Sequence, residues 1–173
     1  DYKIDTQPTN ELEADYSKLK SLRGKIDLGL MESTNASKTG KAPSETEIFE
    51  NLENIIKEAQ GRVIVAAFSS LLTRLYALFE IAKKTNRKIV ISGRSLQETI
   101  SIASRQGYIK IPEGLVIREK DIQKYNDNQL LILCTGSQGE RFSSLNRISL
   151  GEHKYIKIKR KDLIIMSSSE IPE

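Results

Sequence analysis

The residues best placed to do chemistry gather in four short polar stretches, each of which follows an apolar run: AAFSS at 66–70, ISGRS at 91–95, LCTGSQGE at 133–140 and IMSSS at 165–169. The third stretch is the most distinctive. A buried strand ends there in Thr135, Gly136, Ser137, Gln138, Gly139 and Glu140. Glycine lets the main chain come close to a ligand, and hydroxyls and amides add donors. Phe68, Ser69 and Ser70 close the first stretch, Gly93, Arg94 and Ser95 the second, and Ser167, Ser168 and Ser169 the fourth. Ser69 and Ser95 are expected at helix N-termini, where free N–H groups and the helix dipole attract anions. Arg94 can pair with a phosphate through two parallel bonds. The chemistry suggested is phosphate or nucleotide binding. Taken singly, each loop reads better as an ordinary cap or turn, and it is their gathering on one edge that favours a functional reading. None is a Walker loop or a complete G-x-G-x-x-G fingerprint.

The elements that must position these loops alternate. Residues 11–24 read as a helix stopped by Gly24, and 27–34 as a short strand. The stretch 36–45 has linker composition, and Ser44 with Glu47 forms a capping box for the next helix. That helix carries Ile48, Leu52, Ile55 and Ile56 on one face and ends near Gly61. Strands are expected at 62–68, 87–93, 130–136 and 162–169. Helices are expected at 69–86, with Leu72, Leu75, Tyr76 and Phe79 inward, and at 95–107. The alternating KYIKIK, 154–159, reads as a half-exposed strand. The fold class is therefore α/β, with a largely parallel sheet and helices on both faces. In such a sheet the carboxyl ends of the strands share one edge, where open α/β sheets bind ligands.

Composition sets the outer bounds. With 173 residues the chain suffices for one ordinary domain. No apolar run approaches the roughly 18–20 residues that span a bilayer, and DYKIDTQP carries no secretory signal, so no membrane role is expected. The single cysteine, Cys134, rules out an internal disulfide, reads as a buried inert thiol and fits a reducing, cytoplasmic setting. His153, the sole histidine, cannot build a metal cluster by itself and reads as a surface or structural residue. Net charge is +4, with a denser basic patch at Lys154, Lys157, Lys159, Arg160 and Lys161 that is either a solvated surface or a groove for a polyanion. With no initiator Met, the chain is expected to be a piece of something longer.

Taken together and in order, GRVIVAAFSSLLTRL, GRKIVISGRSLQ, GYIKIPEG, LLILCTGSQGE and IIMSSSEIP resemble ribonuclease J, of the metallo-β-lactamase and β-CASP nuclease family. DYKID looks like that family's GDFKFD segment and LMESTNA like its SDSTNA segment. The resemblance implies that residues 1–36 end a metallo-β-lactamase core segment, and that 37–173 form the β-CASP domain and the start of the return to the core. It further implies a two-zinc enzyme that processes or degrades single-stranded RNA, with the remaining metallo-β-lactamase core as partner. Asp1 would bridge the metals together with partners outside this chain. Glu32 would orient a metal-ligand histidine. The loops around Ser69, Arg94, Ser137 and Ser168, together with Arg74, would hold RNA phosphates or a base. The family's H-x-H-x-D-H motif is absent, the usual Pro is replaced by Glu170, and the chain stops inside a motif, which reads as a truncation. A non-catalytic RNA-binding module and a small-nucleotide-binding α/β domain stand as alternatives. Endo- or exonuclease preference and homo-oligomerisation are left open.

Overall fold

The computed structural model describes residues 5, 7–8, 13–31, 33 and 37–168. Helix α1 spans Tyr16–Ser21, α2 Glu45–Glu58, α3 Leu72–Lys84, α4 Arg94–Arg105 and α5 Ser144–Ser149. Strand β1 spans Val63–Ala66, β2 Lys88–Ser92, β3 Val116–Ile117, β4 Leu130–Cys134 and β5 Leu163–Met166. Short 3₁₀ turns at Glu119–Lys124 and Asp127–Gln129 lead into β4. The strand order is β3-β2-β4-β1-β5 and every pairing is parallel.

The parallel sheet follows from its strands. VIVA and LLILC are apolar on both faces and wholly buried, as a strand covered on both sides must be. On one face Val63, Val65, Ile89, Leu131 and Leu133 pack against Leu52 and Ile56 of α2, Leu75 and Phe79 of α3, and Leu96 and Ile100 of α4. On the other, Ile64, Ala66, Val90 and Ile132 pack against Ile122, Ile148 of α5 and Ile156. Helices on both faces thus match the sequence expectation. The connections β1-α3-β2-α4-β3 run outward over the first face, and the returns to β4 and β5 cross the second. A right-handed crossover rule requires this when the direction along the sheet reverses.

Ser44 caps α2 as its sequence suggests, accepting from Glu47 N at 3.0 Å. Only this half of the capping box forms among the described residues; a separate first-turn donor, Glu45 N, is accepted by Asp5 Oδ2 at 2.7 Å. Ile55 lies 46% exposed, off the stripe made by Leu52 and Ile56. The first helix is shorter than its composition suggests. Asp15 accepts from Lys18 N at 2.8 Å and fixes the start at Tyr16. Residues 27–31 form no strand: Leu28, Leu30 and Met31 are exposed, and no described segment lies alongside to pair with them.

Residues 154–159 also form no strand, despite their alternation. Their backbone donors and acceptors go to side chains. His153 Nδ1 accepts from Tyr155 N at 3.3 Å and Ile156 N at 3.1 Å, and Arg62 donates to the Lys157 carbonyl. β5 then takes the place beside β1.

Two buried arginines at the amino edge have no counterpart in the sequence reading. Arg62 is 2% exposed and pairs with Asp162. Arg87, immediately before β2, donates to the carbonyls of Gly61 (2.9 Å), Leu130 (3.2 Å), Ile56 (3.3 Å) and Ala59 (2.6 Å). Replacing Arg87 by Met keeps the apolar stem but leaves those buried acceptors without their donor. Arg87→Met should lower stability by about 3 kcal/mol in urea unfolding, since each buried group left unsatisfied costs roughly 1–3 kcal/mol. A loss below about 1 kcal/mol would mean that water serves the carbonyls instead.

Candidate functional site

Because all five strands run parallel, their carboxyl ends meet at one edge, and the polar stretches with them. The loop after β1 contains Phe68, Ser69 and Ser70; that after β2 contains Gly93; that after β4 contains residues 135–143; and that after β5 begins at Ser167 and Ser168. The helices following β1 and β4 leave on opposite faces, so these neighbouring strands form the switch point at which open α/β sheets bind ligands.

The β4 loop is built by its own contacts. Thr135 anchors α5, its carbonyl accepting from Leu145 N at 2.9 Å and its hydroxyl from Ser144 N at 3.2 Å. Gly136 has φ +114°, and any side chain there would collide with Ser143 and Leu145. Ser143 must stay in place because its hydroxyl caps α5. Gly139 N donates to Gly136 O at 3.2 Å, and Gln138 N to Glu140 Oε2 at 3.1 Å, so Glu140 braces the loop. The Gln138 side chain donates to Ser168 Oγ at 3.1 Å, and Ser168 Oγ donates to Ser137 O at 3.2 Å. The loops after β4 and β5 therefore meet beyond the tip of β1, which lies between their strands. With Gln138 and Gly139 committed internally, the Ser137 hydroxyl is a donor the loop does not use. Its oxygen is buried and has no hydrogen-bond partner among the described residues.

Gly93 (φ +124°) caps α4 without a side-chain hydrogen bond, and it approaches Thr135 so closely that a Cβ would lie 3.1 Å from its side chain. Arg94 and Ser95 stand exposed in the first turn of α4, a turn with no acidic residue. Ser95 is thus at a helix N-terminus as expected. Ser69 is not: α3 starts at Leu72, with Leu71 as its cap.

Arg74 has a different place from the one its resemblance implies. It is buried in α3, with its guanidinium forked onto Glu45 (3.0–3.2 Å) and also donating to Ser167 Oγ. It joins α2, α3 and the β5 loop, and its donors face protein rather than solvent. The basic patch divides as well. Lys159, Arg160 and Lys161 precede β5 at the amino edge, away from the loops, and Lys159 pairs with Asp127 at 2.5 Å. Asp1, Glu32 and Ser169 lie outside the described residues.

Cys134 is fully buried beneath this edge, and burial pushes its thiol up to about 12, which makes it inert as expected. His153 is also buried. Its Nδ1 accepts two main-chain bonds, so the proton sits on Nε2, 3.0 Å from Ser92 Oγ and 3.4 Å from Glu119 Oε1. Among the described residues no group of three or more His, Cys, Asp or Glu side chains could hold a metal, and no helix is long and apolar enough to cross a membrane.

Sequence reasoning missed the depth of Ser137, the buried arginines, and exposed Phe142 at the tip of the β4 loop. Phe142 carried no signal because no aromatic repeat surrounds it. Buried arginines are legible only once their acceptor carbonyls are assembled.

A crossover-wound parallel sheet with its polar loops on one edge defines an open α/β domain. Residues 60–173 match the family described as ribonuclease J, beta-CASP domain, and the chain belongs to that family. It is 43% identical over 173 residues to ribonuclease J of Helicobacter pylori, 39% over 173 to that of Synechocystis, and 38% over 172 to that of Mycoplasma genitalium. These alignments cover 99% of the chain and 25%, 27% and 30% of the respective relatives, so the chain spans between a quarter and a third of their length.

The His153 arrangement predicts a pH dependence. Burial lowers its pKa below the ordinary 6.5, and Arg147 and Lys157 add to that effect while Glu119 opposes it. The unfolded chain therefore binds the proton first. Stability should be complete above about pH 6.5 and fall as pH drops from there toward the depressed folded value. Urea midpoints measured from pH 8 to pH 5 should show this slope, and His153→Gln should flatten it. An equal slope in the variant would assign the effect to other groups.

Proposed function

We infer that this chain is the RNA-binding β-CASP part of a zinc-dependent, ribonuclease J-like enzyme that processes or degrades single-stranded RNA. The observation that carries the reading is the buried Ser137 hydroxyl at the sheet edge, which has no hydrogen-bond partner among the described residues. A donor so placed is costly unless a ligand completes it. Arg94 and the uncapped N-terminus of α4 supply cationic and N–H character on the neighbouring strand tip. A phosphate group offers the acceptor oxygens and the negative charge that these donors suit.

In this reading the remaining metallo-β-lactamase core is the partner that covers exposed Leu28, Leu30 and Met31, and Ile164 and Met166 on the open face of β5. The described residues do not themselves fit a zinc site. The zinc would be held by Asp1 and residues outside this chain, with Glu32 orienting a histidine ligand, and no chemical step is assigned to the described residues. A cytoplasmic setting accords with the lone reduced thiol.

In the intact protein, Ser137→Ala should weaken single-stranded RNA binding about ten- to 150-fold, the equivalent of one charge-assisted hydrogen bond of roughly 1.5–3 kcal/mol. Gly136→Val is a poor probe, because its side chain would strike Ser143 and Leu145 rather than the ligand. Arg94→Ala should reduce the slope of log affinity against log salt by about one. Unchanged affinity in Ser137→Ala and an unchanged slope in Arg94→Ala, both folded, would sink the cradle. The 173-residue chain by itself should show no RNA turnover with zinc or manganese above a Glu32→Ala control. Metal-dependent turnover by the chain would place the catalytic ligands within it.

A further inference from the structure

A second cavity on the same edge is absorbed by nothing above. It has a volume of about 430 Å³ and lies where β2 and β3 end, two strands from the β4 loop. Its walls are Ile91, Val116, Ile117 and Tyr155, its rim is Arg118 and Lys120 with Glu119 between them, and Gln97 of α4 closes one side. Tyr155 is 39% exposed, with the Lys154 ammonium 5.1 Å from its ring centroid. Arg118 is held at the rim by Asp121, whose carboxyl Lys124 and Arg118 keep down near 2. Gln97 donates its amide nitrogen to the Ile91 carbonyl at 3.1 Å, which fixes its side chain and leaves the amide oxygen as an acceptor.

We propose that this cavity holds a second nucleotide of the same RNA strand, with a base stacked on Tyr155 and its phosphate at Lys120 and Arg118. The assignment rests on the reading of the chain as an RNA-binding domain. Three features point to a nucleotide. An accessible aromatic ring on an apolar wall offers a stacking surface that tolerates any base. The two rim cations outnumber Glu119, whose carboxylate lies 3.4 Å from His153 Nε2, and so complement a phosphate, and the volume is that of a small-ligand site. Neighbouring strands stand about 4.8 Å apart, so the cavity lies about 10 Å from the β4 loop, within reach of one continuous strand. The RNA would cross the strand tips from β4 toward β3, and contact length rather than a single phosphate would set affinity.

The test compares 2′-O-methyl oligoadenylates, a dinucleotide and an octanucleotide, binding to the intact protein. Tyr155→Ala and Lys120→Glu should each weaken the octanucleotide about tenfold and leave the dinucleotide unchanged, while Tyr155→Phe should bind like the parent. Lys120 is exposed, so its variant remains informative if Tyr155→Ala disturbs folding. Octanucleotide affinity unchanged in Lys120→Glu and in folded Tyr155→Ala, but reduced in Ser137→Ala, overturns the second subsite and leaves the first. Equal losses for both lengths would show that the cavity is no separate subsite. Absence of RNA binding by the parent protein would remove both readings.

Discussion

The carboxyl edge is only as ordered as the amino edge beneath it, and the amino edge is organised around the Arg87 guanidinium. Its donors reach the end of α2 through Ile56 and Ala59, the entry to β1 through Gly61, and the first residue of β4 through Leu130. Arg87 itself leads into β2. One planar cation thus fixes the relative starting points of three adjacent strands. Burial lowers its pKa, yet the group stays charged, because the carbonyls replace the lost water. Arg62 does the same for β5 by holding Asp162 and the Lys157 carbonyl. Since parallel strands keep register along their length, the starts determine where the tips fall.

At the tips, polar order is local and nearly closed. Thr135 and Ser143 hold α5, Glu140 and Gln138 hold the turn, and Arg74 holds Ser167 against α2. Against that background the Ser137 hydroxyl at this edge, like that of Tyr16 elsewhere, is buried with no hydrogen-bond partner among the described residues. Rigid surroundings also matter for binding, because a donor that need not reorganise contributes more of its intrinsic strength.

The apolar periodicity and the small polar loops were enough to place the sheet, four of its strands and the shared edge. β4 and β1 are legible because strands buried on both faces are written as unbroken aliphatic runs. The failures have physical causes. KYIKIK alternates as a strand does, but alternation reports one buried face, not a pairing partner; His153 and Arg62 satisfy that backbone instead. Residues 116–117 are too short to show a period, so β3 was invisible. Arg74 has the composition of an anion ligand, and only the nearness of Glu45, 29 positions away, shows that it is occupied. The cavity beside Tyr155 is drawn from four separate segments, and nothing in any one of them marks it.

The meeting of Gln138 with Ser168 has a consequence for how this domain can vary in length. β1 lies between β4 and β5, so the bonds from 138 to 168 and from 168 to 137 form an arch across its end. Residues leaving β1 start between the two strands whose loops this arch joins, before turning into α3. Extra residues next to Ala67 and Phe68 would have to lift it, separating two loops at once. The turn at 107–114 has no such roof; a Cβ at Gly107 meets nothing, and one at Gly114 only the tip of Lys88. Insertions and deletions among relatives should therefore collect in the second stretch and spare the first, giving the domain one rigid and one elastic connection.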